Sequence, residues 1–192
     1  MLPKKIRIIL IIILILIIGA VLIYFIAAGF FSGSSEKITF GISETEEIPE
    51  NKIIDYISPD FELPDIEGKK IKLGDYKGKN IILTFWTTWN PAAQDQIAVL
   101  ERYYQRIKNE KDVLLLTINN QEDKSVVSGF IRRGEYTLPV LLDSNGKVGE
   151  LYKISALPAT YFINQEGRVK EIYIGVLNEE EIKNKVGQLY QK

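Results

Sequence analysis

The residues best placed to do chemistry in this chain of 192 lie in Phe85-Trp86-Thr87-Thr88-Trp89-Asn90-Pro91-Ala92-Ala93-Gln94, where an apolar run ends and a helical pattern begins. A junction of that kind gathers the unpaired N–H groups and the positive end of a helix at one spot, where a nucleophile's anionic form is stabilised. No thiol stands there. The chain contains neither cysteine nor histidine, which excludes thiol nucleophiles, disulfides, Cys/His zinc sites and histidine general bases. What the junction does hold is suited to structure. Asn is among the best N-cap residues, and Pro91 fits the first helical position, where its missing N–H goes unmissed. Asp95 is expected to add an acidic group near the positive helix end. The other concentration of reactive groups, Glu44, Glu46 and Glu47, lies in a weakly periodic stretch with nothing to fix its carboxylates in space. It reads as solvated linker, and neither a metal site nor a cofactor is expected.

Charge is spread unevenly. Lys4, Lys5 and Arg7 are the only charged residues in positions 1–31, so the remainder carries 21 basic and 25 acidic residues, a formal charge of −4. Such a domain has no global attraction for nucleic acid, whose binding leans on phosphate neutralisation by a basic surface. From Ile8 to Phe31 run 24 uncharged residues dominated by Ile, Leu and Val. A helix of that length spans about 36 Å against a hydrocarbon core of about 30 Å. A cleaved signal peptide carries a shorter apolar stretch of about 7–15 residues, so the segment reads as an uncleaved transmembrane helix in the lipid bilayer. The basic residues before it and the Glu-rich stretch after it place the N-terminus in the cytoplasm and the rest of the chain outside.

The junction must be held by the elements around it. Phe61 and Leu63, a turn over Asp65 to Gly68, then Ile71 and Leu73 alternate as a β-hairpin does. Ile81–Trp86 and Val113–Ile118 are nearly continuous apolar runs, the pattern of central strands covered on both faces. Between them Ile97, Leu100, Tyr104 and Ile107 recur at helical spacing from Pro91 to about Lys108. Val126, Val127, Phe130 and Ile131 do so in the next connection, which stops at Arg132-Arg133-Gly134. Val140–Leu142 is a further strand, followed by a turn over Asp143–Gly146 and a short helical stretch. Ala159–Ile163 and Val169–Ile174, joined by a turn over Asn164–Gly167, read as an antiparallel hairpin. A last helix has Asn178 as N-cap, Glu181 three residues on, and Ile182, Val186 and Leu189 as its apolar face. Helices and strands thus form an α/β domain with a central mixed sheet flanked by helices. Trp86 is expected in its core, and Glu101-Arg102 and Lys108 to Lys111 on its solvated surface.

The chain divides accordingly into a cytoplasmic N-terminus (1–7), a transmembrane helix (8–31), a tether (32–57) and one domain (58–192). A fully flexible tether of this length would reach about 28 Å, which keeps the domain at the outer face of the cell membrane.

At this point the sequence resembles a known family. Ser58-Pro59-Asp60-Phe61-Glu62-Leu63-Pro64, Gly68-Lys69, Leu73-Gly74-Asp75-Tyr76-Lys77-Gly78-Lys79, the Phe85-Trp86 segment, Ala156-Leu157-Pro158-Ala159-Thr160-Tyr161-Phe162-Ile163 and Gly167 are similar to the membrane-anchored thioredoxin-like proteins of the TlpA/ResA type. That group overlaps with the peroxiredoxin-like AhpC/TSA superfamily, and the resemblance covers essentially residues 58–192. It implies a thioredoxin-like fold and thiol-disulfide oxidoreductase ancestry, often in cytochrome c maturation. It also implies a cis-proline loop at Leu157-Pro158 beside the site, whose backbone pairs with an extended substrate. In that family the segment usually reads Trp-Cys-Pro-x-Cys; here Asn90 stands at the first cysteine position and Ala93 at the second. An Asn amide cannot attack a disulfide as a thiolate does, and an Ala methyl cannot resolve a mixed one.

The expectation is therefore a redox-inactive member with no catalytic residue, its degenerate positions being Asn90 and Ala93. Trp89, Asn90, Pro91, Leu157 and Pro158 would form a groove for a membrane-proximal protein or an extended peptide outside the cytoplasm. The alternatives are a structural subunit of a membrane complex, an oxidoreductase or peroxiredoxin-like protein in name only, and an enzyme with non-thiol chemistry, for which no nucleophile–base pair is visible.

Overall fold

The computed structural model describes residues 54–190. The expected cytoplasmic N-terminus, the expected membrane span over 8–31 and most of the expected tether lie outside the described residues. Among the described residues no helix is long and apolar enough to cross a membrane.

Six strands form one sheet in the order β1-β8-β7-β4-β5-β6. They are β1 (Tyr56–Ile57), β4 (Asn80–Trp86), β5 (Val113–Asn120), β6 (Val140–Asp143), β7 (Ala159–Ile163) and β8 (Arg168–Ile174). A separate hairpin joins β2 (Glu62–Pro64) to β3 (Lys70–Lys72), and a 3₁₀ turn over Leu73–Tyr76 leads into β4. Strands β4, β5 and β6 run parallel, while β7, β8 and β1 alternate antiparallel, so the sheet is mixed as expected. Among the described residues three helices connect strands, α1 (Pro91–Ile107), α2 (Lys124–Arg133) and α3 (Lys147–Leu151), and a fourth, α4 (Glu179–Gln188), follows β8.

The apolar runs became interior strands because both faces of the sheet are covered. All of β4 is buried, and its side chains alternate between two cores, as the two-residue period of a strand requires. Ile82 and Trp86 enter one core with Ala93, Ile97 and Leu100 of α1, Val127 and Ile131 of α2 and Ile182 and Val186 of α4. Ile81, Leu83 and Phe85 enter the other with Phe61, Leu63 and Val148. Thr84 and Thr160, cross-strand neighbours on β4 and β7, satisfy each other's buried hydroxyls at 3.0 Å. The outer edge of β6 is met by an antiparallel bridge from Asp65 to Leu141, which removes one open edge from the sheet.

Pairing begins earlier than expected. Tyr56 and Ile57, assigned to the tether by composition, pair with Val169 and Arg168 of β8, and Asp55 forms ion pairs with Arg168 and Lys170. The Glu-rich composition hid two residues of strand. Strand β8 is itself irregular: Phe162 pairs with Glu171 and Ile163 with Val169, leaving Lys170 as an extra, bulged residue.

The helix ends follow their sequence signals with one shift. Asn178 Oδ1 accepts from Glu181 N at 3.0 Å and Glu181 Oε2 accepts from Asn178 N at 2.7 Å, completing the capping box. Helix α2 stops at Arg133, but Gly134 keeps a right-handed φ of −85°, and the left-handed residue is Glu135 at φ 54°. Tyr136 N–H reaches back to Ile131 O and Glu135 N–H to Arg132 O, a Schellman ending with glutamate where glycine is usual. Gly134 is needed for space instead: a Cβ there would meet the Tyr136 ring at 2.2 Å. Val126, expected on the apolar face of this helix, is 48% exposed.

Candidate functional site

Strand β4 delivers the chain to the surface after Trp86, and α1 begins five residues later. Trp86 is fully buried against Phe130, with ring centroids 5.3 Å apart, and is core as expected. Trp89, in the intervening turn, is 70% exposed. Ala93, three residues after Asn90, is fully buried, so a methyl fills the second expected redox position from within. Pro91 occupies the first helical position.

Asn90 joins two elements. Its Oδ1 accepts from Ala92 N at 3.0 Å and Ala93 N at 3.4 Å, which caps α1. Its Nδ2 donates to Leu157 O at 2.9 Å across 67 positions of sequence. That carbonyl belongs to a cis Leu157-Pro158 peptide, and Pro158 O in turn accepts from Gly175 N at 2.9 Å. The five residues expected to form a groove are thus brought to one end of the sheet, with Asn90 hydrogen-bonded to the proline loop. A cavity of about 470 Å³ is lined by Leu151, Tyr152, Ile154, Ala156, Ile172 and Ile174 among others. Burial raises the phenol pKa of Tyr152 well above its ordinary value; Tyr152 OH donates to Pro59 O at 2.7 Å.

Sequence reasoning missed the brace beneath the turn. Glu122, just after β5, accepts from Thr88 N at 2.6 Å, from Thr88 Oγ1 and from Asn119 Nδ2 at 2.7 Å. Gln94 Nε2 holds Thr88 O at 2.7 Å from the other side. No periodicity marks such residues, because the contacts cross between connections. Asp95, expected to complement the positive helix end, falls beyond the first turn of α1, which contains no acidic residue. Glu101 is also not mere solvated surface. It accepts from Thr137 N, Thr137 Oγ1, Leu138 N and Gln105 Nε2 at 2.6–2.9 Å. Its partial burial pushes the carboxyl pKa up, but the bonds from Gln105, Thr137 and Leu138 outweigh that and hold it below its ordinary value.

A side-chain amide, whose nitrogen lone pair is delocalised into its own carbonyl, does not attack as a thiolate does, and the described residues gather no three carboxylates able to hold a metal ion. The arrangement is that of a thioredoxin-like domain whose helix-start site is built from an amide and a methyl. Residues 54–172 match the AhpC/TSA family, and the chain belongs to that family. Thiol-disulfide oxidoreductase ResA of Geobacillus thermodenitrificans is 33% identical over 164 residues, covering 85% of each chain. ResA of Bacillus subtilis is 34% identical over 122 residues, 64% of this chain and 68% of the relative. Among solved structures, StoA from Bacillus subtilis superposes with a TM-score of 0.60 at 29% identity, covering 66% of this chain and 96% of that one. The pneumococcal exposed lipoprotein thioredoxin Etrx1 of Streptococcus pneumoniae gives 0.60 at 28% identity, covering 68% and 99%.

Proposed function

We propose that this protein is a redox-inactive thioredoxin-like module, anchored by residues 8–31 with its domain outside the cytoplasm, that holds an extended segment of a membrane-proximal partner without covalent capture. The relatives' names speak for thiol-disulfide exchange, which starts from a thiolate; a chain without cysteine has none to start from. The observation that carries the reading is Trp89, 70% exposed one residue from Asn90, which is bonded to the proline loop. A large indole left in water next in sequence to the residue that binds the proline loop is the kind of anchor that dominates many interfaces. Main-chain pairing at the Leu157-Pro158 loop would supply orientation.

A second reading, a structural subunit held in a membrane complex, draws on the same bond seen from the other side: Leu157 O is already occupied by Asn90. Substitution separates the two. Truncating an interface hot spot weakens binding by about 2 kcal/mol or more, roughly thirtyfold. With folding confirmed, Trp89→Ala is expected to lose partners recovered by cross-linking from native membranes, and Leu157→Arg to lose them by obstructing the loop. Partners retained equally by both variants would remove the groove reading in favour of the structural subunit.

A further inference from the structure

We infer that Asn90 is a latch on the proline loop as well as a helix cap, so that the groove has a closed state and an open one. The inference rests on the groove reading above and adds a regulatory element to it.

The carboxamide divides its work by atom. Oδ1 faces the helix and accepts from Ala92 N and Ala93 N, while Nδ2 faces away and donates to Leu157 O at 2.9 Å. Capping needs only the oxygen, which serine or aspartate supplies equally well. The nitrogen is what asparagine adds, and it is spent on a carbonyl in another element. The Leu157 N–H has no acceptor among the described residues. In the closed state the loop therefore offers an extended segment its donor, while one of the two lone pairs of the Leu157 carbonyl is already taken. Release of the Asn90 amide frees the adjacent carbonyl from that competition, leaving the matched donor and acceptor that one residue of an antiparallel strand requires.

Holding the carbonyl internally also removes the penalty of leaving it half-buried without a partner. The latch thus stabilises the empty groove, and a partner's N–H competes with the Asn90 amide for that carbonyl. Binding is then selective for main chain able to donate at that point: an extended segment whose facing residue is proline cannot open the latch productively.

The test uses the full-length chain in detergent micelles. Asn90→Ser keeps a capping oxygen but is too short to bridge to Leu157. Asn90→Asp keeps the cap and sets a carboxylate oxygen against the Leu157 carbonyl, so its latch opens at neutral pH and recloses in acid, where the protonated carboxyl donates again. Two quantities are read: the Leu157 carbonyl carbon resonance, which reports whether its oxygen accepts a hydrogen bond, and amide exchange at Gly175, which is bonded to Pro158 O. In Asn90→Ser, and in Asn90→Asp at neutral pH, the Leu157 signal is expected to move upfield and Gly175 exchange to rise about fivefold to tenfold. Ala92 and Ala93 remain protected as the internal control. In acid only Asn90→Asp should return towards wild type compared at the same pH. Unchanged Leu157 and Gly175 signals in both variants, with the cap intact, overturn the latch and leave Asn90 a helix cap.

Gating is read separately, by repeating the partner cross-linking with Asn90→Ser. Recovery several-fold above wild type supports the latch as a gate, and equal recovery despite an open loop overturns it. Failure of Trp89→Ala to reduce recovery would instead remove the groove reading, whatever the loop signals show.

Discussion

Asn90 and Ala93 occupy the cap and third positions of α1, and their environments differ as two thiols would need them to. Asn90 is half-buried at the rim, and Ala93 is fully buried behind it. If the fold is intact and only the chemistry is missing, Asn90→Cys with Ala93→Cys should create a disulfide that forms under mild oxidation and opens with reductant. The circular dichroism of the domain should not change. The rim thiol, at a helix N-terminus, should be the more reactive of the two, because the unpaired N–H groups now spent on Asn90 Oδ1 would stabilise its thiolate. Failure of the two thiols to pair would show that a helix start alone does not bring these positions within disulfide reach.

Helix α1 does more than present its N-terminus, since Glu101 on its flank holds the segment that leads into β6. The carboxylate accepts from Thr137 N and Leu138 N, two donors that would otherwise be left open before the strand. The folded-state pKa of Glu101 lies below its ordinary 4.5. This contribution to stability is therefore fully present above that value and is lost as the pH falls through the lower, folded value. Glu101→Gln is expected to lower the unfolding free energy by about 1 kcal/mol near neutral pH, allowing for solvent screening. The gap from wild type should narrow as thermal melts are repeated at successively lower pH below 4.5; a gap independent of pH would assign the loss to packing. The same example explains what could be read from sequence. Strands β4 and β5 and helices α1 and α4 were legible because burial writes a period of 2.0 or 3.6 into the residues themselves. The contacts of Glu101 with Thr137, Glu122 with Thr88 and Asn90 with Leu157 join residues 36, 34 and 67 apart. Polar contacts at such separations leave no periodic trace. Residues 56–57 were missed for a related reason, since a two-residue strand is too short to show alternation.

For the molecule as a whole, the absence of native cysteine makes the proposed placement directly measurable. A single cysteine at Ser35 should react with a membrane-impermeant thiol reagent in intact cells, and one at Leu2 only after lysis. The reverse labelling would contradict the reading of Lys4, Lys5 and Arg7 as cytoplasmic residues. Placement matters because of what the junction lacks. A dithiol records each encounter by changing oxidation state and must be reset before the next. The fully buried Ala93 methyl and the hydrogen-bonded Asn90 amide carry no such record. On the proposed reading, a partner meeting this surface would be held for a residence time set by dissociation alone, with the surface unaltered when it leaves. Occupancy would then follow the partner's local concentration from moment to moment, whatever the redox poise of the surroundings.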